Sequence, residues 1–170
     1  MRPIRVSQKD DPGHLPIGLG AKAQPSPSIR PSNRVLAVMK GNRRVNTKPE
    51  VQLRCALHRT GMRYRVDLPI MVPGCRVRPD IVFTRHRLAV FVDGCFWHGC
   101  PQHFVPSKTS VEYWSSKLQH NIQRDALVSE ALSGAGWHVL RIWSHVPIDE
   151  AVRMVRDALD SAKAAQLADD

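Results

Sequence analysis

From residue 47 onward the apolar positions change period several times, and each change marks an element. Thr47-Lys48-Pro49-Glu50 has the form of a capping box with proline in the first turn, and Leu53, Ala56 and Leu57 then fall on one helical face until Gly61 stops the run. Arg63 to Leu68 alternates as a strand does. Pro79 to Thr84 and Leu88 to Asp93 are two β-rich runs around Arg85-His86-Arg87, the pattern of a hairpin. Helical periodicity returns from about Val111 to Leu132 and is closed by Gly134 and Gly136. His138 to Trp143 reads as a further strand. A last helix begins near Pro147, with Ile148, Val152, Val155 and Leu159 on one face. The predicted order is helix, three strands, helix, strand, helix, a small mixed α/β domain without internal repeats.

Composition adds a partner class. The chain has 170 residues, 25 Lys and Arg against 15 Asp and Glu, and a net charge of +10. A chain this basic is matched to a polyanion, most often nucleic acid. The charge is concentrated ahead of the folded part: residues 1–49 hold ten Lys or Arg and two Asp. Residues 1–31 carry six of the thirteen prolines and little apolar periodicity, so they read as a basic, proline-rich, disordered leader. Either it solubilises the protein or it lies along phosphates, as Lys40, Arg43 and Arg44 just beyond it would. Residues 32–165 are then the domain and 166–170 a tail. The longest clean apolar run, Leu88 to Val92, is far too short to cross a bilayer, and no apolar stretch follows the first residues as it would in a secretory signal. A cytoplasmic protein is expected. Its four cysteines then read as free thiols or metal ligands rather than a disulfide scaffold.

Three constellations carry chemistry. If the hairpin turns near His86, Asp80 opens one arm opposite the residues that close the other, so Asp80 and Asp93 lie at the same end. Two neighbouring carboxylates repel unless a cation or proton lies between them, and at neutral pH a hard cation such as Mg²⁺ suits them. The plain alternative is that one merely starts a strand and the other a turn. Asp125 falls within the apolar stripe of Leu118, Ile122, Val128 and Leu132, where a charge needs a partner: a cation, a histidine, a backbone donor or an arginine. Finally, Cys95, Cys100 and His103 have the spacing C-x4-C-x2-H, able to bring three ligands to one Zn²⁺. His145 is the best fourth ligand and His138 the second; Cys55 and Cys75 read as packing residues. His98, between the two thiols, is then left to face the carboxylates as a general acid or base. Phe96 and Trp97 either plug the zinc loop or stack on bases.

Arg78-Pro79-Asp80-Ile81-Val82 followed by Val92-Asp93-Gly94-Cys95-Phe96-Trp97-His98-Gly99-Cys100-Pro101-Gln102-His103 closely resembles the very-short-patch repair (Vsr) mismatch endonucleases. Thr47 to Glu50, Asn121 to Asp125 and Gly136 to Trp143 extend the resemblance over roughly residues 32–160. It implies a restriction-endonuclease-like fold of the PD-(D/E)xK type: a mixed sheet flanked by helices, with a structural zinc site. It implies Mg²⁺-dependent nicking of one strand of double-stranded DNA, 5′ to the thymine of a T·G mismatch left by deamination of 5-methylcytosine. A bacterial, nucleoid-associated monomer is expected, linked functionally to a cytosine-5 methyltransferase and to mismatch-repair proteins. By position Asp80 is similar to the catalytic metal-binding aspartate, with the Val92 carbonyl as a second Mg²⁺ contact. His98 is similar to the catalytic histidine, Asp125 to the acid that orients it, and Glu50 to a supporting acid. Cys95, Cys100, His103 and His145 correspond to the zinc ligands. Phe96 and Trp97 resemble the aromatics that wedge at the mismatch, and Met39 an apolar wedge from the opposite groove. Two positions depart from the better-known members. Asp93 stands where they have histidine, which would let it bind Mg²⁺ directly, and His145 replaces a thiol. The same core could instead serve a restriction-type or structure-selective nuclease, or a non-catalytic zinc-stabilised DNA-binding module.

Overall fold

The computed structural model describes residues 45–108 and 110–169. The leader, Met39, Lys40, Arg43 and Arg44 lie outside them. Helix α1 (Lys48–Arg59) starts after Thr47 with a proline in its first turn. The expected capping box does not form. Thr47 makes no side-chain bond to a backbone amide; its hydroxyl donates 2.7 Å to Glu50 Oε1, while Glu50 Oε2 accepts the Asn46 N–H at 2.9 Å. Leu53 and Leu57 are buried, as the periodicity requires.

Residues 63–68 do not form the predicted strand. Only Arg65 pairs, in an isolated bridge with Val82 whose two N–H···O bonds are each 2.8 Å. Asp67 adopts a left-handed φ of 49°, which breaks extension, and Arg78 Nη1 holds it there through the Asp67 carbonyl (2.9 Å) and carboxylate (2.8 Å). The strands come later, as a separate antiparallel hairpin of β1 (Ile70–Val72) and β2 (Cys75–Val77). Its two-residue loop is Pro73-Gly74, with Gly74 at φ +77°, a conformation that favours glycine.

The second hairpin is the one expected. Strands β3 (Ile81–Phe83) and β4 (Leu88–Asp93) pair antiparallel around a short 3-10 turn at Thr84–His86, with Ile81 opposite Val90 and Phe83 opposite Leu88. Helix α2 (Val111–Gly134) carries the chain back to β5 (His138–Trp143), which lies parallel to β4 from Leu88↔His138 to Asp93↔Trp143. The sheet order is β3-β4-β5, a mixed sheet. Helix α3 (Ile148–Asp169) closes the described chain. Residues 166–169, set apart by composition as a tail, continue this helix, and Gln166 Nε2 donates to the Arg85 carbonyl at 3.1 Å.

Alternate residues of β4 enter different cores. Leu88 and Val90 meet Leu53, Leu57, Ile142, Val152, Val155 and Leu159 from α1, β5 and α3. Ala89 meets Leu132 of α2 and the inner face of the first hairpin, Ile70, Val72, Cys75 and Val77. The sheet is therefore covered on both faces, as its mostly apolar strands require. Cys75 is buried as expected, but Cys55 is exposed. Among the described residues no helix is long and apolar enough to cross a membrane.

Candidate active site and metal centre

Parallel pairing fixes where the chemistry gathers. Because β4 and β5 run in register to Asp93↔Trp143, the segments that follow them leave the same edge of the sheet side by side. The Ser144 N–H donates 2.8 Å to the Asp93 carbonyl and continues this pairing one residue further. Antiparallel β3 begins where β4 ends, which brings Asp80 to the same edge. Open α/β sheets present ligands at such carboxyl ends. A cleft of about 1280 Å³ lies here, lined among others by Glu50, Asp80, Asp93, Trp97, His98 and Asp125.

The parallel register also explains how residues fifty positions apart converge. Cys95 and His145 each lie two residues beyond the Asp93↔Trp143 pair. Cys95 Sγ is 3.1 Å from His145 Nδ1, Cys100 Sγ is 3.6 Å from the same nitrogen, and Cys100 Sγ is 3.8 Å from His103 Nδ1. The ligand atoms of Cys95, Cys100, His103 and His145 all lie within 4.8 Å of one another. Bond lengths to tetrahedral zinc put its N and S ligand atoms roughly 3.3–3.8 Å apart, so this spacing suits an ion of that kind. Burial pushes the Cys100 thiol up, yet the Gln102 and His103 amides, the His103 ring and Cys95 outweigh it and leave the thiol below its ordinary value, as a metal-ligating sulfur needs. Tight turns shape the loop: the Trp97 and His98 amides donate to the Gly94 carbonyl, and the Cys100 amide to that of Cys95. Gly99, at φ +69°, lies where a Cβ would come within 3.2 Å of Leu118 and Ile122. His138, the alternative fourth ligand, begins β5 and is far along the strand from this cluster.

His98 turns from the cysteines to the acids. Its Nδ1 is 2.5 Å from Asp125 Oδ2 and 3.5 Å from Asp93 Oδ1. Burial raises the Asp125 pKa, but the His98 hydrogen bond and the charges of His98, Arg141 and Arg124 more than reverse it and hold the acid below its usual range. Asp125 is thus a carboxylate that faces His98 Nδ1, and Nε2 is the ring nitrogen turned away from it. Arg141 ties the acids together. Its Nε and Nη2 bind Asp93 at 2.7 and 2.9 Å, Nη2 reaches Asp125 Oδ1 at 3.1 Å, and the guanidinium lies 4.9 Å from the Phe91 ring centre. Burial lowers the Arg141 pKa, but Asp93 and Asp125 overcome this and raise it. Asp93, His98 and Asp125 also have the spacing of a metal group. A guanidinium already engages both Asp93 oxygens.

Asp80 stands apart from that group. Its Oδ2 accepts the Val92 N–H at 2.7 Å. Burial pushes its pKa up to about 6; Glu50 and Asp93 add to the rise, while the Val92 N–H and Arg54 oppose it. Glu50 is 3% exposed and is held by Asn46, Thr47 and Arg54. Arg54 in turn reaches the Asp80 carbonyl at 3.2 Å and Asn46 Oδ1 at 2.6 Å. Asp80 is therefore an under-compensated, half-buried acid lining the cleft, an environment that a hard cation would relieve.

The sequence model of the family described as DNA mismatch endonuclease Vsr matches residues 29–103. The type II nicking enzyme V.NaeI of Lentzea aerocolonigenes is 50% identical over 122 residues, 71% of this chain and 74% of that enzyme. The chain belongs to the Vsr family. V.XorIIP of Xanthomonas oryzae, also named a type II nicking enzyme, is 42% identical over 108 residues, 62% of this chain and 76% of its own. The DNA mismatch endonuclease Vsr of Escherichia coli is 36% identical over 100 residues, 58% and 61% of the two chains. The protein is thus a Vsr-family DNA endonuclease, and its mixed α/β architecture fits an endonuclease-like fold.

Sequence reasoning named most of the residues that meet at this Vsr-type edge. It offered an arginine as a partner for Asp125 but named none of those present: Arg141 between Asp93 and Asp125, Arg54 between Glu50 and Asp80, and Arg124 beside Asp125. Arg141 carried a signal, as a charge inside the apolar strand run. It also missed the aromatic cluster. Phe96 and Trp97 do not stand alone. Phe96 contacts Trp97, Phe104 and Trp114 at ring-centre distances of 5.2, 6.1 and 5.1 Å, and Trp97 lies 5.5 Å from Trp114. Asn121 Nδ2 donates 2.8 Å to the Trp97 carbonyl and fixes the loop to α2.

Proposed function

We propose that this Vsr-family enzyme nicks one strand of a DNA duplex 5′ to the thymine of a T·G mismatch, with Mg²⁺ bound at Asp80. The observation that carries the reading is one cleft holding both a His98–Asp125 pair and a half-buried carboxylate, Asp80, whose pKa is pushed up to about 6. Asp80 and the Val92 carbonyl hold the cation, and Glu50 supports Asp80 through Arg54. When bound, the ion neutralises charge on the scissile phosphate and makes water a better nucleophile. His98 handles the proton. Asp125 keeps Nδ1 protonated, so Nε2 is the atom that takes a proton from water or, once charged, gives one to the leaving oxygen. Arg141 holds Asp93 and Asp125 in place, which makes Asp93 a positioning acid rather than a ligand.

Cys95, Cys100, His103 and His145 hold a structural Zn²⁺ that shapes the loop carrying Phe96, Trp97 and His98. Those aromatics, buttressed by Trp114 and Phe104, press on the mismatch, where stacking is already weak and entry costs less than at a paired step. Met39 enters from the opposite groove, and Lys40, Arg43 and Arg44 run along phosphates. The domain is of the PD-(D/E)xK type and acts as a monomer behind a basic leader at residues 1–31. It works in the cytoplasm at the nucleoid, where a cytosine-5 methyltransferase creates its substrate and mismatch-repair proteins share it. Asp80→Ala and His98→Ala should each bind T·G duplex like the parent but lose nicking; residual cleavage within about tenfold of the parent for either would remove that residue from the chemistry.

A further inference from the structure

We propose that the outer face of the β1–β2 hairpin is a DNA-gripping ribbon beside the nick, with Arg76 on a phosphate and Met71 against the groove. The inference rests on the reading that Asp80 meets the scissile phosphate.

The hairpin has two unlike faces. Ile70, Val72, Cys75 and Val77 are buried and anchor it to the second core. Met71 and Arg76 are cross-strand partners on the opposite face. Met71 is 73% exposed, so its side chain contributes almost nothing to the fold. Arg76 is also exposed. Neighbouring Arg78 is already committed to Asp67, which leaves Arg76 as the hairpin's cation for an outside partner. Hairpin and central sheet are separate sheets among the described residues, and the hairpin is held to the domain by the packing of its inner face.

Position supplies the occupant. Arg76 and Arg78 line the same cleft as Asp80, His98 and Asp125, and Lys117 and Arg124 also line it. The cleft thus joins basic residues from the hairpin and from α2 to an acidic catalytic group, a charge pattern suited to a polyphosphate chain that presents one phosphate to the acids. Arg76 is four residues from Asp80, at most roughly 14 Å of extended chain. A duplex seated with a phosphate at Asp80 therefore passes within reach of the ribbon. Two-stranded ribbons fit DNA grooves, and exposed apolar side chains beside arginines are used against sugars and base steps.

The test uses the full chain. Benzoylphenylalanine is placed at Met71 and irradiated on a T·G duplex labelled on each strand. Crosslinks should cluster within a few base pairs of the nick. Separately, Arg76→Ala in an Asp80→Asn background should lower the slope of log affinity against log salt by about 0.9, one phosphate contact. Melting temperatures of Arg76→Ala and Met71→Ala within those of the parent show that folding is not the cause. No crosslink to DNA, crosslinks far from the nick, an unchanged salt slope, or Met71 crosslinking to a protein instead would each overturn the ribbon. A parent enzyme that nicks the matched twin as readily as the T·G duplex while both ribbon results hold would overturn the T·G reading and leave the ribbon standing.

Discussion

Asp80→Asn isolates the strain at the centre of the site. The amide keeps an oxygen to accept the Val92 N–H, now 2.7 Å from the carboxylate, but removes the half-buried charge. Burial, Glu50 and Asp93 push the Asp80 pKa from 3.8 up to about 6. The folded state therefore binds the proton more tightly than the unfolded chain. Stability falls as pH rises between those two values and stays lowered above them. A displacement of about two pH units corresponds to about 3 kcal/mol, which solvent in the cleft reduces to roughly 1–3 kcal/mol. At pH 8 in EDTA the variant should be more stable than the parent by that amount, or about 4–10 °C in melting temperature. Near pH 4 the two should converge. Urea titration at both pH values reads the difference. Adding Mg²⁺ should then stabilise the parent and leave the variant unchanged, because only the carboxylate gains from the cation. A variant no more stable than the parent at pH 8, or a gap that persists unchanged at pH 4, would refute the reasoning.

Arg141→Leu should cost about 3 kcal/mol, since it leaves Asp93, 5% exposed, without its guanidinium. Adding Asp93→Asn should restore much of that, and a double variant as unstable as the single one in urea would show that the pair is not what matters. The purified protein should carry one zinc ion; His145→Ala should lose it and melt at lower temperature, and an unchanged metal content by elemental analysis would strike His145 from the set. Trp97→Ala should reduce binding to mismatched duplex more than to its matched twin, and equal losses by anisotropy would end the wedge assignment.

What was legible in the sequence follows the range of the interactions. Strand β5 and helix α2 are visible because their apolar spacing is local, and the β3–β4 hairpin because its turn is short. The 63–68 strand failed because Asp67 turns left-handed under a hold from Arg78, eleven residues away. The β1–β2 hairpin left its Pro73-Gly74 punctuation in the chain, but three-residue strands give too little alternation to recognise. The cysteine–histidine cluster was half legible: Cys95, Cys100 and His103 share a loop, whereas His145 joins them only through the parallel register of β4 and β5. Asp125 announced itself as a charge in an apolar stripe, and its partners are indeed a histidine and an arginine. Which arginine could not be read, because a helix and a strand had first to be placed face to face. Asp80 and Asp93 do share one end of the hairpin, yet Arg141, from a third strand, takes both Asp93 oxygens, while the Asp80 carboxylate is held by the Val92 N–H.

The most direct measurement is a strand-resolved nicking assay. Purified protein is mixed with a T·G duplex and with its C·G twin, each labelled on one strand at a time, in Mg²⁺ and in EDTA. A single cut in the thymine strand, 5′ to the mismatch, in Mg²⁺ only, is the predicted result. Equal cutting of both duplexes would keep the nuclease and contradict its role at mismatches, and cutting that survives EDTA would contradict the cation at Asp80.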